Sequence, residues 1–470
     1  MARVPTPGIL PVAVVVVVIM LVLGYGLYLL AIAVLVPLVL AILRRPQRGV
    51  LLFAALIPFN GLLIVGPLPS FVAGWKEFTV GLIFALTLLA RPEVRAAPGR
   101  RLPGWVPAAG GYLLVGLLSA ATVLGSQASI GLKIDYFDML IALAVWRCPL
   151  NERERDTLVT IFMVVGFATA VYGIIQQGIG YVTLNSWGYA YNDTIRFVAG
   201  FRLRSFSTFN QPFPFAFYLM LTILIALPHA LSDLGRIRNR LFLLSLPVLG
   251  LGLFFTYVRA AWLGLGLGLM YLALHRYKWL LLGVPIALVA LLFIPSGTIS
   301  TAAFQSGTFH ARTSLWSDRF NQVVSHPFGG GIASTGAAAA KVADKKHLPG
   351  TALLQPDNSY LKTAFELGVV GLWMQLLFLL AVLFGSRRDE RRLRRLGRTV
   401  DARFVMSFTA QLLAIFAAAT VSTYFEMVPM QTLFWLMLGV VASIAADETP
   451  APEPERALAA VPAGPARPLT

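Results

Sequence analysis

The sequence is poor in cysteine, in acidic residues and in charge of either sign within its long apolar runs. One cysteine, Cys148, in 470 residues excludes an intramolecular disulfide and a metal cluster built on cysteines. Asp and Glu number 21 against 38 Lys and Arg, and only 13% of residues are charged. Hydrophobic residues make up 57% of the chain, and the mean hydropathy is +0.76. The composition therefore excludes a soluble enzyme and predicts a polytopic membrane protein.

The excess of basic residues carries information about topology. The net charge of +17 would favour a nucleic-acid partner in a soluble protein, but here the Lys and Arg lie mostly in short loops between apolar segments, so no nucleic acid is expected. The positive-inside rule places these loops in the cytoplasm. The basic clusters fall at 44–48, 91–101, 147–155, 236–240, 276–278 and 387–403.

The apolar segments between these clusters predict an all-α fold with about 12–14 transmembrane helices and both termini inside. Fourteen segments alternate across the membrane. They are 10–23, 27–43, 49–66, 77–90, 105–124, 134–146, 157–178, 211–230, 241–257, 260–274, 279–295, 359–385, 404–422 and 430–446. We predict one transmembrane domain over 1–446 and a disordered cytoplasmic tail over 447–470, which is rich in Ala, Pro and Glu.

Two predicted external loops are long, about 178–210 and about 295–358. Loops longer than about 15 residues are usually functional or disordered, and both of these contain aromatic residues, glycines and charges rather than low-complexity sequence. We therefore expect the chemistry on the external face. The basic run 387–403 is interpreted as a topology anchor that contacts anionic lipid.

Arg259 is the only charged residue between Leu241 and Leu274. A charge in the bilayer is costly, so it faces a cavity, a partner or water. The stretch is too long for one span of a core about 30 Å thick, which predicts two helices that meet near residues 257–259. Arg259 is then at an external helix end.

The first long loop brings two more arginines, Arg202 and Arg204, to the start of the next span. The planar, permanently charged guanidinium group suits phosphate oxygens, so Arg204 and Arg259 together would suit a diphosphate head group. In the alternative interpretation Arg202 and Arg204 only snorkel or bind lipid phosphate.

The second long loop ends at Asp357-Asn358-Ser359, directly before a predicted span. Short polar side chains at this position cap helices. A functional alternative makes Asp357 a general base or a group that orients an acceptor hydroxyl. Glu366 is a weaker carboxylate candidate within the same span, and His326 before Pro327 is interpreted as a turn residue rather than a catalyst. Four other charged residues at external helix ends are interpreted as interface anchors or local ion pairs: Lys76, Glu77, Lys133 and Asp135.

Several cofactor and metal motifs are absent from the sequence. It has no Walker loop, no paired Asp-x-Asp and no HExxH, and its five histidines lack metal-ligand spacing. No cofactor and no metal are therefore indicated.

Five segments in order resemble the O-antigen ligase and polymerase superfamily of membrane glycosyltransferases. Each segment alone is weakly specific for the family. The five in this order, at predicted external ends of helices, are more specific. The segments are Arg204 followed by Thr208-Phe209-Asn210-Gln211-Pro212; Val258-Arg259-Ala260-Ala261-Trp262-Leu263; Arg312 to Trp316; His326-Pro327-Phe328-Gly329-Gly330-Gly331; and Asn358-Ser359-Tyr360-Leu361 followed by Glu366-Leu367-Gly368.

The resemblance implies a GT-C-like enzyme of the bacterial inner membrane with an external active site. It would transfer a whole glycan from undecaprenyl diphosphate, with inversion and without metal, to a glycan or lipid A-core acceptor. Arg204 and Arg259, with Asp357, take the catalytic roles, since guanidinium groups stabilise the departing diphosphate. Substrate binding is carried over to Arg202, Arg312, Asn210, Asn358, Tyr360 and His326.

One residue departs from the family pattern. Ligases that join O-antigen to lipid A core typically have histidine directly before the asparagine, where this chain has Asp357. This favours a polymerase or a related surface-polysaccharide ligase.

A flippase or transporter of lipid-linked oligosaccharide is the alternative from another functional class. Such a protein would show charged residues deep in several spans or internal repeats. The sequence shows neither pattern, and release of undecaprenyl diphosphate would distinguish the two functions.

Overall fold

The computed structural model describes residues 45–64, 70–96, 100–189, 197–198, 202–282, 325–345 and 357–447, with scattered positions between 33 and 43 and residue 323. These residues form thirteen α-helices and one two-stranded hairpin. The helices are α1 (Pro46–Leu56), α2 (Trp75–Leu89), α3 (Val106–Val123), α4 (Gly125–Tyr136), α5 (Met139–Arg147), α6 (Glu152–Ser186), α7 (Pro212–Ser232), α8 (Ile237–Phe254), α9 (Arg259–His275), α10 (Gly336–Lys345), α11 (Ser359–Arg395), α12 (Thr399–Ala419) and α13 (Met430–Ala445). The hairpin pairs β1 (Phe197–Val198) with β2 (Arg202–Leu203). The predicted all-α class is confirmed.

Seven helices in the described part of the chain are long and apolar enough to cross a membrane. They are α2 with the turn before it, α3, α6, α7, α8, α11 and α12. α13 is apolar but shorter. Three predicted spans, 10–23, 27–43 and 279–295, lie wholly or mostly outside the described residues.

The predicted span 134–146 is wrong as a single helix. α4 ends at Tyr136 and α5 begins at Met139, so α5 alone would extend only about 14 Å. Polar contacts lie on both sides of this break. Asp135 pairs with Lys362 at 2.9 Å, and the Asp138 carboxylate accepts a hydrogen bond from Thr432 at 2.6 Å.

Two helices form the centre of the bundle. In α7 and α12 the most apolar windows are 89% and 78% buried by protein, whereas in α3 the share is only 17%. α3 therefore has a lipid-facing surface, while α7 and α12 pack against protein on most sides.

The start of α7 lies beside the end of α12. Gln411 donates to the carbonyl of Leu221 at 2.8 Å, and the rings of Phe217 and Tyr424 are 5.2 Å apart. At the other ends of the same two helices, the end of α7 and the start of α12, the rings of His229 and Phe404 are 5.8 Å apart. The two helices are therefore antiparallel.

The starts of α9 and α11 lie at this same end. A methyl group added at Gly264 would lie 2.8 Å from the carbonyl oxygen of Ala414, so glycine permits the close α9–α12 approach. The Tyr360 hydroxyl donates to the carbonyl of Phe416 at 3.3 Å. We call this end, formed by the end of α12 and the starts of α7, α9 and α11, the α12-terminal end.

Arginine–carboxylate pairs gather at the opposite end. Asp401, at the start of α12, binds Arg155 and Arg398, each at 2.6 Å. Asp156 binds Arg238 at 2.8 Å. These contacts bring the basic clusters of 147–155, 236–240 and 387–403 to one end of the bundle.

Candidate functional site

The segment that carries Arg204 is held in place by two glutamines of α6. Gln176 accepts from the backbone N–H groups of Phe206 and Ser207, at 3.2 and 2.7 Å, and donates to the Ser207 carbonyl at 3.0 Å. Gln177 donates to the Leu203 carbonyl at 3.0 Å. Buried backbone groups of an irregular segment are thus paired by side chains, which fixes its path.

The connection between α8 and α9 is the tight turn that the sequence predicts. α8 ends at Phe254 and α9 begins at Arg259, so the prediction of two helices meeting near 257–259 is confirmed. Tyr257 has a left-handed φ of 54°, and Trp262 stacks on Phe254 with ring centroids 5.7 Å apart. The indole of Trp262 also donates to the Leu253 carbonyl at 3.2 Å. Trp262 therefore holds the first turn of α9 against the end of α8 by a ring stack and a hydrogen bond.

Arg204 contacts this turn directly. Its Nε donates to the carbonyl of Thr256 at 2.9 Å, three residues before Arg259. The backbone N–H of Ser205 donates to the Phe255 carbonyl at 2.9 Å. The Arg204 guanidinium also lies 4.9 Å from the centroid of the Phe213 ring, at the start of α7. These contacts bring the two predicted diphosphate ligands into one neighbourhood.

Asn358 caps α11, and the cap fixes the position of Asp357. The Asn358 side chain accepts from the N–H groups of Tyr360 and Leu361, at 2.9 and 3.1 Å. Ser359 bonds to the Ser422 carbonyl through both its N–H and its hydroxyl. Of the three residues Asp357-Asn358-Ser359, at which the sequence predicts a helix cap, Asn358 is the one that forms it. Asp357 is exposed, with φ of 40°, at the α12-terminal end.

The other predicted binding residues occupy varied positions. Tyr360 bonds to α12, Asn210 is half-buried, and exposed His326 pairs through Nδ1 with the Ser325 hydroxyl at 3.0 Å. Arg202 lies in β2. Arg312 lies outside the described residues.

A glycine-rich loop, residues 327–331, packs on a break in α11 at Gly368. The break is a left-handed residue, with φ of 69°, and it interrupts the hydrogen bonds of the helix. Three backbone bonds replace them: Gly330 N–H to the Phe365 carbonyl at 2.7 Å, Gly331 N–H to the Glu366 carbonyl at 3.1 Å, and Val369 N–H to the Pro327 carbonyl at 2.9 Å. Two of the sequence segments that resemble the family are thus packing partners.

Glycine is required at this contact. A methyl group at Gly368 would lie 2.2 Å from the Pro327 carbonyl oxygen, and one at Gly329 would lie 2.5 Å from the Gly368 nitrogen. The loop replaces the lost helical bonds because its backbone approaches this closely.

A buried ionic cluster lies next to this loop, and two of its members, Lys362 and Glu426, are not among the residues predicted from the sequence. Lys362 contacts Glu366 at 2.7 Å, Asp135 at 2.9 Å and Glu426 at 3.3 Å. Glu366 also accepts from the backbone and hydroxyl of Thr335, at 3.2 and 3.1 Å. Lys362 and Glu366, four residues apart in an apolar span, were the signal available in the sequence. Nothing in the sequence linked them to Glu426.

Left-handed backbone at non-glycine residues marks the same segments. In the described residues it occurs at five positions: Leu124, Ser207, Tyr257, Ala333 and Asp357. Such residues cost about 1–3 kcal/mol each and cluster at functional sites. Four of them fall in the Arg204 segment, in the turn before Arg259, beside the glycine-rich loop and directly before the α11 cap. The fifth, Leu124, lies between α3 and α4.

Residues 241–376 match the model of the O-Antigen ligase family. The match begins in α8 and ends in α11, so it contains Arg259 and Asp357 but not Arg204. It confirms the resemblance to the O-antigen ligase and polymerase superfamily for this part of the chain and supports, in general terms, a membrane glycan ligase or polymerase.

The chain is also similar to the inner membrane protein YdcO of Escherichia coli (strain K12). The two are 31% identical over 150 residues, which cover 28% of this chain and 35% of YdcO. The chain thus matches about a third of the length of this relative. Together with the apolar helices, the likeness supports a multi-pass membrane protein.

Proposed function

We propose that this protein is an integral membrane glycosyltransferase that moves an undecaprenyl-diphosphate-linked glycan as one block to an acceptor hydroxyl in surface-polysaccharide assembly. The observation that carries the proposal is the contact of Arg204 with the Thr256 carbonyl, because it brings Arg204 to the turn that leads into Arg259. Both arginines lie at the α12-terminal end with Asp357. The family match over 241–376 supports this class of reaction.

The reaction is a displacement at the anomeric carbon with inversion. The acceptor oxygen forms the new glycosidic bond while the bond from the anomeric carbon to the diphosphate breaks. The diphosphate gains negative charge as it leaves, and the guanidinium groups of Arg204 and Arg259 stabilise that charge. Asp357 takes the proton of the attacking hydroxyl.

The geometry supports these roles through rigidity. Arg204 is oriented by a carbonyl and a ring, and its segment is fixed by two glutamines of α6. Arg259 begins a helix whose first turn is fastened by Trp262. Preorganised charge stabilises a transition state without rearrangement during the reaction. Asp357 is exposed, so an acceptor from outside can reach it.

The decisive experiment supplies purified protein in nanodiscs with undecaprenyl-diphosphate glycan and an acceptor, and measures released undecaprenyl diphosphate. We expect Arg259→Ala and Arg204→Ala each to lower turnover by about 100-fold or more, the size found when one transition-state donor is removed. Arg240→Ala is the matched control, because Arg240 is exposed near the start of α8, away from the turn. Transfer of glycan across liposomes with no new glycosidic bond would instead support the transporter.

Asp357→Asn tests the role of Asp357 as general base without changing the backbone conformation at this position. Asparagine tolerates a positive φ, so this change removes the charge and preserves the conformation. We expect slow turnover that recovers partly as pH rises, since the acceptor hydroxyl then loses its proton more readily. Normal turnover would exclude Asp357 as the base.

The products separate the two kinds of enzyme. A ladder of repeat units on the lipid carrier identifies a polymerase, and a single transfer to lipid A core identifies a ligase. Asp357 in place of the histidine typical of ligases favours the ladder.

A further inference from the structure

The Lys362 cluster contains more negative than positive charge. Three carboxylates face one ammonium group, and their side chains are almost fully buried: Lys362 is 7% exposed, Asp135 9%, Glu366 1% and Glu426 3%. Full ionisation would leave two uncompensated negative charges in the interior. Each buried ion costs several kcal/mol even after relaxation, so this state is disfavoured.

The hydrogen bonds show which carboxylates are best stabilised as anions. The ammonium has three N–H donors, and the three carboxylates surround it. Glu366 has the shortest contact with Lys362, at 2.7 Å, and two further donors from Thr335. Asp135 follows at 2.9 Å.

Glu426 is the carboxylate with the weakest support. It has the longest contact with Lys362, 3.3 Å from Nζ to Oε1, and this ion pair lacks the geometry of a hydrogen bond. Within the described residues Oε1 has no hydrogen bond from another group. Its Oε2 accepts from the Ala337 N–H at 3.3 Å. That N–H belongs to the first turn of α10, whose dipole offsets only about half a charge.

A cavity of about 30 Å³ adjoins the cluster. Asp135 lines it, together with Gln375 and Gln431. The Oε1 atom of Gln375 is buried and accepts no hydrogen bond from the described residues, although the side chain faces the cavity. The rest of the lining is mostly aromatic, and the volume is enough for one water molecule. A water molecule there would lie beside Asp135, the member of the cluster that lines the cavity.

We propose that Lys362, Asp135, Glu366 and Glu426, with the adjoining cavity, form a proton-binding site that holds one proton on Glu426 while α10 and the glycine-rich loop are docked on α11. The proton comes from solvent and returns there, and no covalent bond between heavy atoms changes. The proposal is independent of the glycan transfer proposed above.

The site couples protonation to the docking of α10, because its carboxylates contact the residues at the start of this helix. Glu366 binds Thr335, Glu426 binds Ala337, and a methyl group at Gly336 would lie 2.6 Å from the Glu426 carboxylate. Loss of the proton leaves a negative charge that the docked structure keeps from water. The Ala337 N–H and the dipole of α10 offset this cost only in part, so deprotonation weakens the docking of α10.

The direction of the pH dependence follows from Glu426, which lies in the turn between α12 and α13. Burial raises the pKa of its carboxyl, and Asp135 raises it further, whereas Lys362 opposes the shift. A carboxyl with a raised pKa in the folded state contributes stability at low pH, which is lost as pH rises through that pKa. The charged and titratable groups of the surrounding cluster are Lys362 and Glu366 on α11 and Asp135 on α4, with the phenols of Tyr112 and Tyr136 close to Asp135.

Infrared difference spectroscopy on the full chain in nanodiscs tests the site directly. At a pH above 4.5, the ordinary pKa of a glutamate carboxyl, we expect one component of the carbonyl stretch of buried protonated carboxyls in the wild type to come from Glu426. This component should be lost in Glu426→Gln and retained in Glu93→Gln, where an exposed carboxyl is changed. Absence of this component from the wild type, or its persistence in Glu426→Gln, overturns the proposal.

The melting temperature provides a second measurement. As the pH rises from 4.5, the ordinary pKa of a glutamate carboxyl, we expect the wild type to lose about 2 °C or more of melting temperature, and Glu426→Gln to lose less. Glu93→Gln should follow the wild type. Equal slopes in Glu426→Gln and the wild type overturn the proposal. If Glu426→Gln does not fold, Glu426→Asp replaces it, because the shorter carboxyl keeps the proton in a changed environment and should shift the infrared component. An unshifted component in Glu426→Asp overturns the proposal.

Discussion

The two halves of α11, on either side of Gly368, differ in what surrounds them. In the first half, 359–367, nearly every side chain is buried by protein, including Lys362 and Glu366. The second half, 369–395, exposes an apolar stripe that repeats every three or four residues. The stripe consists of Val369, Val370, Trp373, Leu377, Leu380 and Phe384.

The difference shows where a membrane protein can place charge. The apolar stripe of the second half is the face that would meet lipid, and the arginines of this half begin only after the stripe ends. The first half holds an ammonium group and carboxylates because α4, α10 and the α12–α13 turn surround it. Gly368 marks the change between the two environments.

The largest expected effect comes from removing the central cation. Lys362→Met leaves three buried carboxylates without their ammonium partner, which should lower the free energy of unfolding by about 3–5 kcal/mol. Arg388→Met, at an exposed position of the second half, should change it by less than about 0.5 kcal/mol. Denaturant unfolding in detergent measures both. Similar losses in the two variants would show that the halves tolerate charge equally.

A second prediction concerns the glycines of the two halves. Gly368→Ala should cost more than about 2 kcal/mol, because the left-handed conformation is unfavourable for alanine and the new methyl group meets the Pro327 carbonyl. Gly385→Ala should be neutral or stabilise by about 0.5–1 kcal/mol, since nothing lies within 4 Å of the added atom. Thermal unfolding of both variants measures these effects, and a neutral Gly368→Ala would contradict the close contact of Gly368 with Pro327.

The cap of the first half gives a smaller effect. Asn358→Ala removes the acceptor of two backbone N–H groups and should cost about 1 kcal/mol. Asn358→Asp keeps an acceptor and should retain most of the stability. Unfolding measurements that rank the aspartate variant below the alanine variant would contradict the capping role.

The smallest effect is expected at the lipid-facing stripe. Trp373 is 63% exposed, so Trp373→Phe should change stability by less than about 0.5 kcal/mol. Brominated lipids should quench the fluorescence of the wild type more than that of the variant, because Trp373 contacts the acyl chains. Equal quenching would place this stripe against protein instead.

The apolar runs and the position of Arg259 were readable from the sequence. The length of the stretch from Leu241 to Leu274 exceeds one span, and the observed turn lies at the residues predicted. The asparagine cap of α11 also follows from local chemistry. These features depend on neighbouring residues alone.

Features that depend on distant residues were not predictable in the same way. Asp135 looked like an interface anchor, but it pairs with Lys362, 227 positions away. The contact of Arg204 with Thr256 spans 52 positions. A hydropathy profile averages residues that are neighbours in the sequence, so it does not predict contacts between distant residues. Lys133 and Glu77 form an ion pair at 2.9 Å, but the pair joins α4 to α2 and is not the local pair that the sequence suggested.

The break at Gly368 has a consequence for protein engineering. Residues 327–331 supply the hydrogen bonds that the break removes from α11, and α11 in turn supplies the carbonyls that the loop needs. A chimera that imports either segment from another protein would therefore leave backbone groups of both without partners. The loop and residues 365–369 form a single unit of exchange, to be transplanted together or not at all.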